Sequence, residues 1–231
     1  MAAFSFILGN LAAACAVQIR VSRMCPADIA SVCKLRTDIF SPQLVSPGAR
    51  YRKRRLIEES LSKRTAVFVA VAPPTLAAEI VGSDESVGDP LDGGSELIVG
   101  SIDMLAVAHS DARELCYITN ACVHPLARRA GIGRQLVDAV EKESQKRGAA
   151  ALALHVDASN AVAVELYRGL GFDENDDEDV AATLSTAQFV DPDQDPPELL
   201  MTKVLGSNTS KKRRAQTAGR RRNATRGAGF G

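Results

Sequence analysis

The run ARRAGIGRQLV, residues 127–137, sets Arg128, Arg129 and Arg134 around Gly131 and Gly133 at the head of an amphipathic segment. A strand that turns into a helix leaves the first backbone N–H groups of that helix without intrahelical partners, all aimed the same way. Glycine lets the main chain adopt positive φ and come close to a ligand, and the helix dipole adds partial positive charge. The run therefore reads as an anion site, suited to a diphosphate, with its backbone at Arg128, Arg129, Ala130, Gly131, Ile132, Gly133 and Arg134. The bland alternative is a tight turn whose arginines are only solvated.

Two phosphate-binding patterns compete for this turn. A dinucleotide-binding unit has G-x-G-x-x-G with an acidic residue about 20 positions on. Asp157 stands near that distance, but Leu136 occupies the third glycine position and the unit follows four expected strands instead of opening the chain. The second pattern reaches further. Arg128, Gly131 and Gly133 fit R/Q-x-x-G-x-G/A, and Asn160, Ala163, Leu166, Tyr167, Gly171 and Phe172 fit N-x-x-A-x-x-L-Y-x-x-x-G-F downstream. On these motifs the segment Asn120 to Phe172 resembles the GNAT superfamily of acetyl-CoA-dependent N-acetyltransferases. With the weaker pattern upstream, the resemblance covers Val17 to Leu205. Cys116 to Gly133 is also similar to a plastid and cyanobacterial subset.

The resemblance implies a mixed α/β fold: a mostly antiparallel central sheet of six to seven strands, a splayed strand 4/5 pair, and about four helices. It implies acetyl-CoA as cosubstrate and no metal. The pantetheine arm would lie in the splay, bonded to main chain at Cys122 and Val123 and to Asn160, while the glycine turn holds the pyrophosphate. Tyr167 matches the general acid that protonates the departing sulfur, against a bland reading as a half-buried core tyrosine. Some relatives carry a glutamate base five residues before the asparagine, and His155 stands there. An imidazole with an ordinary pKa of about 6.5 can take an amine proton, directly or through water. Tyr117, Glu114 and ordered water are the other candidates for the base. A covalent acyl-Cys122 step is disfavoured, because nothing nearby in sequence activates the thiol and a small buried cysteine is usually inert.

These groups need elements to position them. VQIRVS (17–22) reads as a strand, Pro26 to Phe40 as a helix, Gly48 to Arg64 as a second helix with its basic residues solvated, and Thr65 to Ala72 as a strand. Thr75 to Ser95 has little pattern and reads as a loop. Glu96 to Ala108 and Glu114 to Pro125 read as a hairpin, followed by a helix ending at Gly148, the strand Ala151 to Asp157, a short helix capped by Ser159 or Asn160, and a closing strand Glu198 to Leu205. On the fifth strand His155 shares a face with Ala153 and Asp157, opposite Leu152, Leu154 and Val156.

Length and composition bound the rest. A chain of 231 residues, 45% hydrophobic, fits one domain with extensions. We divide it into residues 1–16 as an extension, 17–206 as the acetyltransferase domain and 207–231 as a disordered basic tail. Five cysteines without C-x-x-C spacing argue against disulfides or a zinc site. No stretch reaches 18 uninterrupted apolar residues, so no membrane-spanning helix is expected. The acid-free apolar opening is read two ways, as a transit segment to the chloroplast or as a first strand of the domain. The net charge is zero but split: ten acidic residues lie between Asp173 and Glu198, and nine basic ones follow. The tail's KKRR and RRR offer a nuclear address or a nucleic-acid contact, a function of another class, although no aromatics interleave for base stacking. A primary amine is the expected acceptor, on a protein N-terminus or lysine first and on a polyamine or aminoglycoside second. Nucleus and cytoplasm stay as alternative locations, and oligomeric state is not legible.

Overall fold

The computed structural model describes residues 19–44, 46–61, 66–73, 76–77, 80, 97–108, 114–175, 178–186 and 198–206. The transit and first-strand readings of residues 1–16, most of the loop at 75–95, the acidic run at 187–197 and the basic tail lie outside them.

Seven strands form one sheet: β1 (Arg20–Arg23), β2 (Ala66–Ala72), β3 (Leu97–Ala108), β4 (Glu114–Val123), β5 (Ala151–Asp157), β6 (Asp173–Glu174) and β7 (Glu198–Val204). Their spatial order is β1-β2-β3-β4-β5-β7-β6. All pairs are antiparallel except β4 with β5. Among the described residues five α-helices accompany the sheet: α1 (Ile29–Phe40), α2 (Pro47–Leu61), α3 (Ile132–Arg147), α4 (Ala161–Arg168) and α5 (Glu178–Thr186). The mixed, mostly antiparallel architecture expected from the motifs is the one observed. α5 falls where the sequence shows only a modest apolar run between acidic segments, and β6 is too short for its pattern to show.

The alternation of β2 explains how the layers divide. Val67, Val69 and Val71 pack with Val32, Cys33 and Leu35 of α1 and Leu61 of α2, whereas Ala66, Phe68 and Ala70 belong to the main core with Leu136, Val137 and Val140 of α3. α1 and α2 therefore cover one face of the sheet and α3 covers the other. Beyond β4, the α3 face continues with Leu152, Leu154 and Val156 of β5 against Val164 and Tyr167 of α4. The opposite face continues with Leu115, Tyr117 and Ala153 beneath Leu184 of α5.

Candidate active site

The parallel pair is where the sheet opens. β4 and β5 are in register from Leu115↔Ala151 to Ile118↔Leu154 and no further. Past that point β4 stays on β3 through Cys122 and Val123, while β5 follows β7 through His155, Val156 and Asp157. The strands part, and a cleft of about 350 Å³ fills the gap. Tyr117 to Ala121 line one wall, Leu154 to Asp157 the other, and Asn160, Ala163 and Tyr167 of the α4 segment close one side.

The two proton-handling candidates enter this cleft from opposite faces of the sheet. His155 lies on the Ala153 face, where Tyr117 Oη sits 2.9 Å from its Nδ1 and the rings meet edge to face. With Nδ1 engaged by Tyr117, Nε2 is the nitrogen left for a substrate. Burial pushes the imidazole pKa below its ordinary value, and the Glu198 carboxylate, which also lines the cleft, opposes that shift. The histidine is therefore neutral at pH 7 and able to accept a proton. Tyr167 lies on the other face, its ring edge to face on Phe172 at 5.7 Å. Its hydroxyl has no hydrogen-bond partner among the described residues although the side chain is buried. Burial drives its pKa up to about 12, which keeps the phenol protonated and restricts it to the donor role.

Glu114, the remaining side-chain candidate for the base, stands at the closed end of β4. It pairs in register with Ala108, lies 3.8 Å from Arg147 and is absent from the cleft wall. Cys122 is buried against Ser101 Oγ at 3.3 Å, and burial raises its thiol pKa, so the reactive thiolate is disfavoured and the acyl-cysteine route has no support. Asn160 is the N-cap of α4, its Oδ1 accepting from Ala163 N at 3.2 Å. The capping role is realised, and its Nδ2 remains to donate within the cleft that the residue lines.

The glycine turn has the shape of an anion cradle. Arg129 and Gly131 take positive φ, 68° and 74°, which curls the chain tightly into α3. No side chain caps the helix, and its first intrahelical bond runs from Gln135 N to Gly131 O, so the N–H groups of Ile132, Gly133 and Arg134 have no intrahelical partner. A Cβ on Gly131 would meet nothing within 4 Å, whereas one on Gly133 would come within 3.1 Å of Leu166. The first glycine keeps the approach to these donors clear, and the second lets α4 pack closely. Arg129 and Arg134 are exposed at the rim, and Arg128 folds back so that its Nε donates to Val123 O at 3.3 Å. A diphosphate fits this turn, and a thin arm running from it can enter the β4/β5 gap.

Several contributors were not legible among the motifs. Asn120 has φ 53° within β4, at a bulge where Thr119 and Cys122 face Asp103 and Ser101, so that three residue steps on β4 match two on β3. The extra residue inverts the strand's alternation: Cys116 and Ile118 point to the α3 core, but Cys122 points to α1. Phe40, at the end of α1, stands 46% exposed on the cleft wall together with Glu198. The one hint in the sequence was Asp103, the sole charge within the apolar run LIVGSIDMLAVA.

Comparison with known proteins agrees with this geometry. Residues 55–172, about half of the chain, match the model of the acetyltransferase (GNAT) family. The ribosomal protein bS18-alanine N-acetyltransferase of Escherichia coli K12 is 49% identical over 55 residues, 24% of this chain and 37% of that protein. The catalytic subunit naa20 of the N-terminal acetyltransferase B complex of Schizosaccharomyces pombe is 38% identical over 56 residues, 24% of this chain and 31% of that protein. The matched segment thus spans about a third of the length of these relatives. Among solved structures, a GNAT-family acetyltransferase of Staphylococcus aureus Mu50 superposes with a TM-score of 0.54 at 13% identity, covering 82% of this chain and all of the other. NAA60 of Arabidopsis thaliana, in complex with a bisubstrate analogue, gives 0.54 at 17% identity over 83% of this chain and all of the other, a likeness of fold. The motif match over half the chain, the parted β4/β5 pair and the uncapped glycine turn agree, and the chain belongs to the GNAT family of acetyltransferases.

Proposed function

We propose that the protein transfers an acetyl group from acetyl-CoA to a primary amine, with a protein N-terminus or lysine side chain as the acceptor. The observation that carries the reading is the cleft between β4 and β5, into which a protonated phenol and a neutral imidazole project from opposite faces of one sheet. Such an arrangement lets a thioester lie on the Tyr167 side while an amine approaches from the His155 side. Acetyl-CoA supplies the activated acetyl group. The turn at Gly131 holds its diphosphate, and the free edge of β4 from Thr119 to Val123, with Asn160 Nδ2 opposite, aligns the arm and offers main-chain N–H groups to the carbonyl oxygen as charge grows there.

As the amine nitrogen bonds to the acetyl carbon, its surplus proton passes to His155 Nε2, and Tyr117 on Nδ1 fixes the ring orientation. The carbon–sulfur bond then breaks and Tyr167 hydrogen-bonds to the departing sulfur and protonates it. A phenol with a pKa of about 12 is a weak acid, so its transfer is complete only as a proton returns to it from the amine side. The acceptor class rests on the named relatives, which are a ribosomal-protein acetyltransferase and an N-terminal acetyltransferase subunit, and on the carboxylates of Asp157 and Glu198 paired in register at the cleft. These would attract a cationic acceptor.

The test is acetyl-CoA turnover by the full chain with N-terminal peptides, lysine peptides, a polyamine and an aminoglycoside. Peptide amines should show the highest kcat/KM. A higher value for a small-molecule amine would move the acceptor to that class, and no turnover with any amine would reject the function. For location we propose the chloroplast, which sequencing of the mature N-terminus by mass spectrometry would check; an uncleaved Met1 would count against import.

A further inference from the structure

Beneath the free edge of β4 lies a buried polar network that the transfer chemistry does not use directly. Arg36 of α1 is 2% exposed and Asp103 of β3 is fully buried. Arg36 Nη1 donates to Asp103 Oδ2 at 3.0 Å, Nη2 donates to Oδ1, and Nε donates to Ser101 Oγ at 3.0 Å. All three guanidinium nitrogens are therefore engaged in a fork that lysine could not reproduce.

The network ends on both sides of the β4 bulge. Asn120 Nδ2 donates to Asp103 Oδ2 at 2.9 Å, and Ser101 Oγ meets Cys122 Sγ at 3.3 Å. Asn120 is the residue in the left-handed region, and its side chain, like that of Cys122, lies on the α1 face, opposite to Cys116 and Ile118. Left-handed φ costs an L-residue free energy, and asparagine is among the residues that tolerate it. Here its side chain is also anchored to a carboxylate that cannot move without unpairing Arg36. On the β5 side no strand pairs with this segment among the described residues, because the β4/β5 register stops at Ile118. One helical turn beyond Arg36, Phe40 lines the cleft, so the same helix reaches the amine side of the site.

We infer that Arg36 and Asp103 are positioning residues for acetyl transfer: their buried pair holds Asn120 and Cys122 so that the β4 main chain between them aims at the acetyl group. The inference rests on the function proposed above. A buried ion pair is a weak source of stability, and replacing both partners by apolar residues of similar volume is often neutral or stabilising. That separates the positioning role from a merely structural one.

The double variant Arg36→Met/Asp103→Leu removes the clamp while filling the space. It should keep its Tm and bind acetyl-CoA within about threefold of wild type, because the Gly131 turn is untouched, yet its kcat should fall at least tenfold. Asn120→Gly gives an independent arm: glycine accepts the same φ without strain, and the change removes the hydrogen bond to Asp103 together with the small part of the cleft wall that this side chain forms. Its kcat should fall several-fold with cofactor affinity unchanged, while Tm drops by a few degrees for the lost charge-assisted hydrogen bond. If the double variant does not fold, Asn120→Gly decides alone. A folded double variant, or Asn120→Gly, with kcat within twofold of an active wild type would overturn the clamp and leave the proposed function standing. An inactive wild type would overturn the function and the clamp with it.

Discussion

Gly131 and Gly148 are the two ends of α3, and they allow binding to be separated from folding. Both are left-handed, φ 74° and 79°, and a Cβ on either would meet nothing within 4 Å. Replacement by alanine therefore brings no clash in either case, only the cost of an L-residue in that region, about 1–2 kcal/mol. The restricted unfolded chain returns some of this, about 0.4–1 kcal/mol, leaving a net loss near 1 kcal/mol at each site. For a domain of this size that lowers Tm by about 2–4 °C. The binding effects should differ completely. At Gly131 the new methyl is added at the N-cap of α3, next to the N–H groups of Ile132, Gly133 and Arg134 that are expected to hold the diphosphate. Losing one charge-assisted hydrogen bond is worth about 1.5–3 kcal/mol, or roughly 10- to 100-fold in Kd. Gly148→Ala lies at the far end of the helix and should leave Kd unchanged. Thermal denaturation and calorimetric titration with acetyl-CoA measure both quantities on the same samples. If the two variants lose similar stability and both bind as tightly as wild type, the cradle reading is wrong and the glycine turn is only a helix start.

Tyr167→Phe preserves the ring packing on Phe172 and should lower kcat by about 100-fold with acetyl-CoA affinity unchanged; full kcat under conditions where chemistry is limiting would return Tyr167 to the core. His155 is held below its ordinary pKa by burial, so the acidic limb of kcat/KM should lie below about pH 6.5 and vanish, with lower activity, in His155→Gln; an unchanged limb would assign it to another group. The same shift has a stability consequence. As pH falls the unfolded chain takes up this proton before the folded one, so stability is lost from about pH 6.5 downward, and His155→Gln should flatten that part of the Tm profile. Truncation after Leu205 should lower KM for a cationic acceptor at low salt if the basic tail competes for the acidic segment, and the difference should shrink at high salt; equal values at low salt would remove that coupling.

Local chemistry was legible in the sequence because it is written in short spacings. The glycines at 131 and 133, the stop of α3 at Gly148 and the face shared by His155, Ala153 and Asp157 follow from short-range spacing, which also narrows the cap of α4 to Ser159 or Asn160; the structure selects Asn160. Tyr167 was legible either as a half-buried core residue or, from the motif around it, as the general acid, and the structure buries it on the cleft wall. What only the tertiary structure decided depends on pairs far apart in the chain. The contact of Tyr117 with His155 spans 38 positions, and that of Arg36 with Asp103 spans 67. The exclusion of Glu114 from the cleft came from the place where two parallel strands stop pairing. The bulge at Asn120 was equally hidden, since an extra residue leaves the composition of a strand unchanged and only inverts which side chains face which layer. A period tells which residues share a face, but the register between strands and the helix above them decide what that face meets.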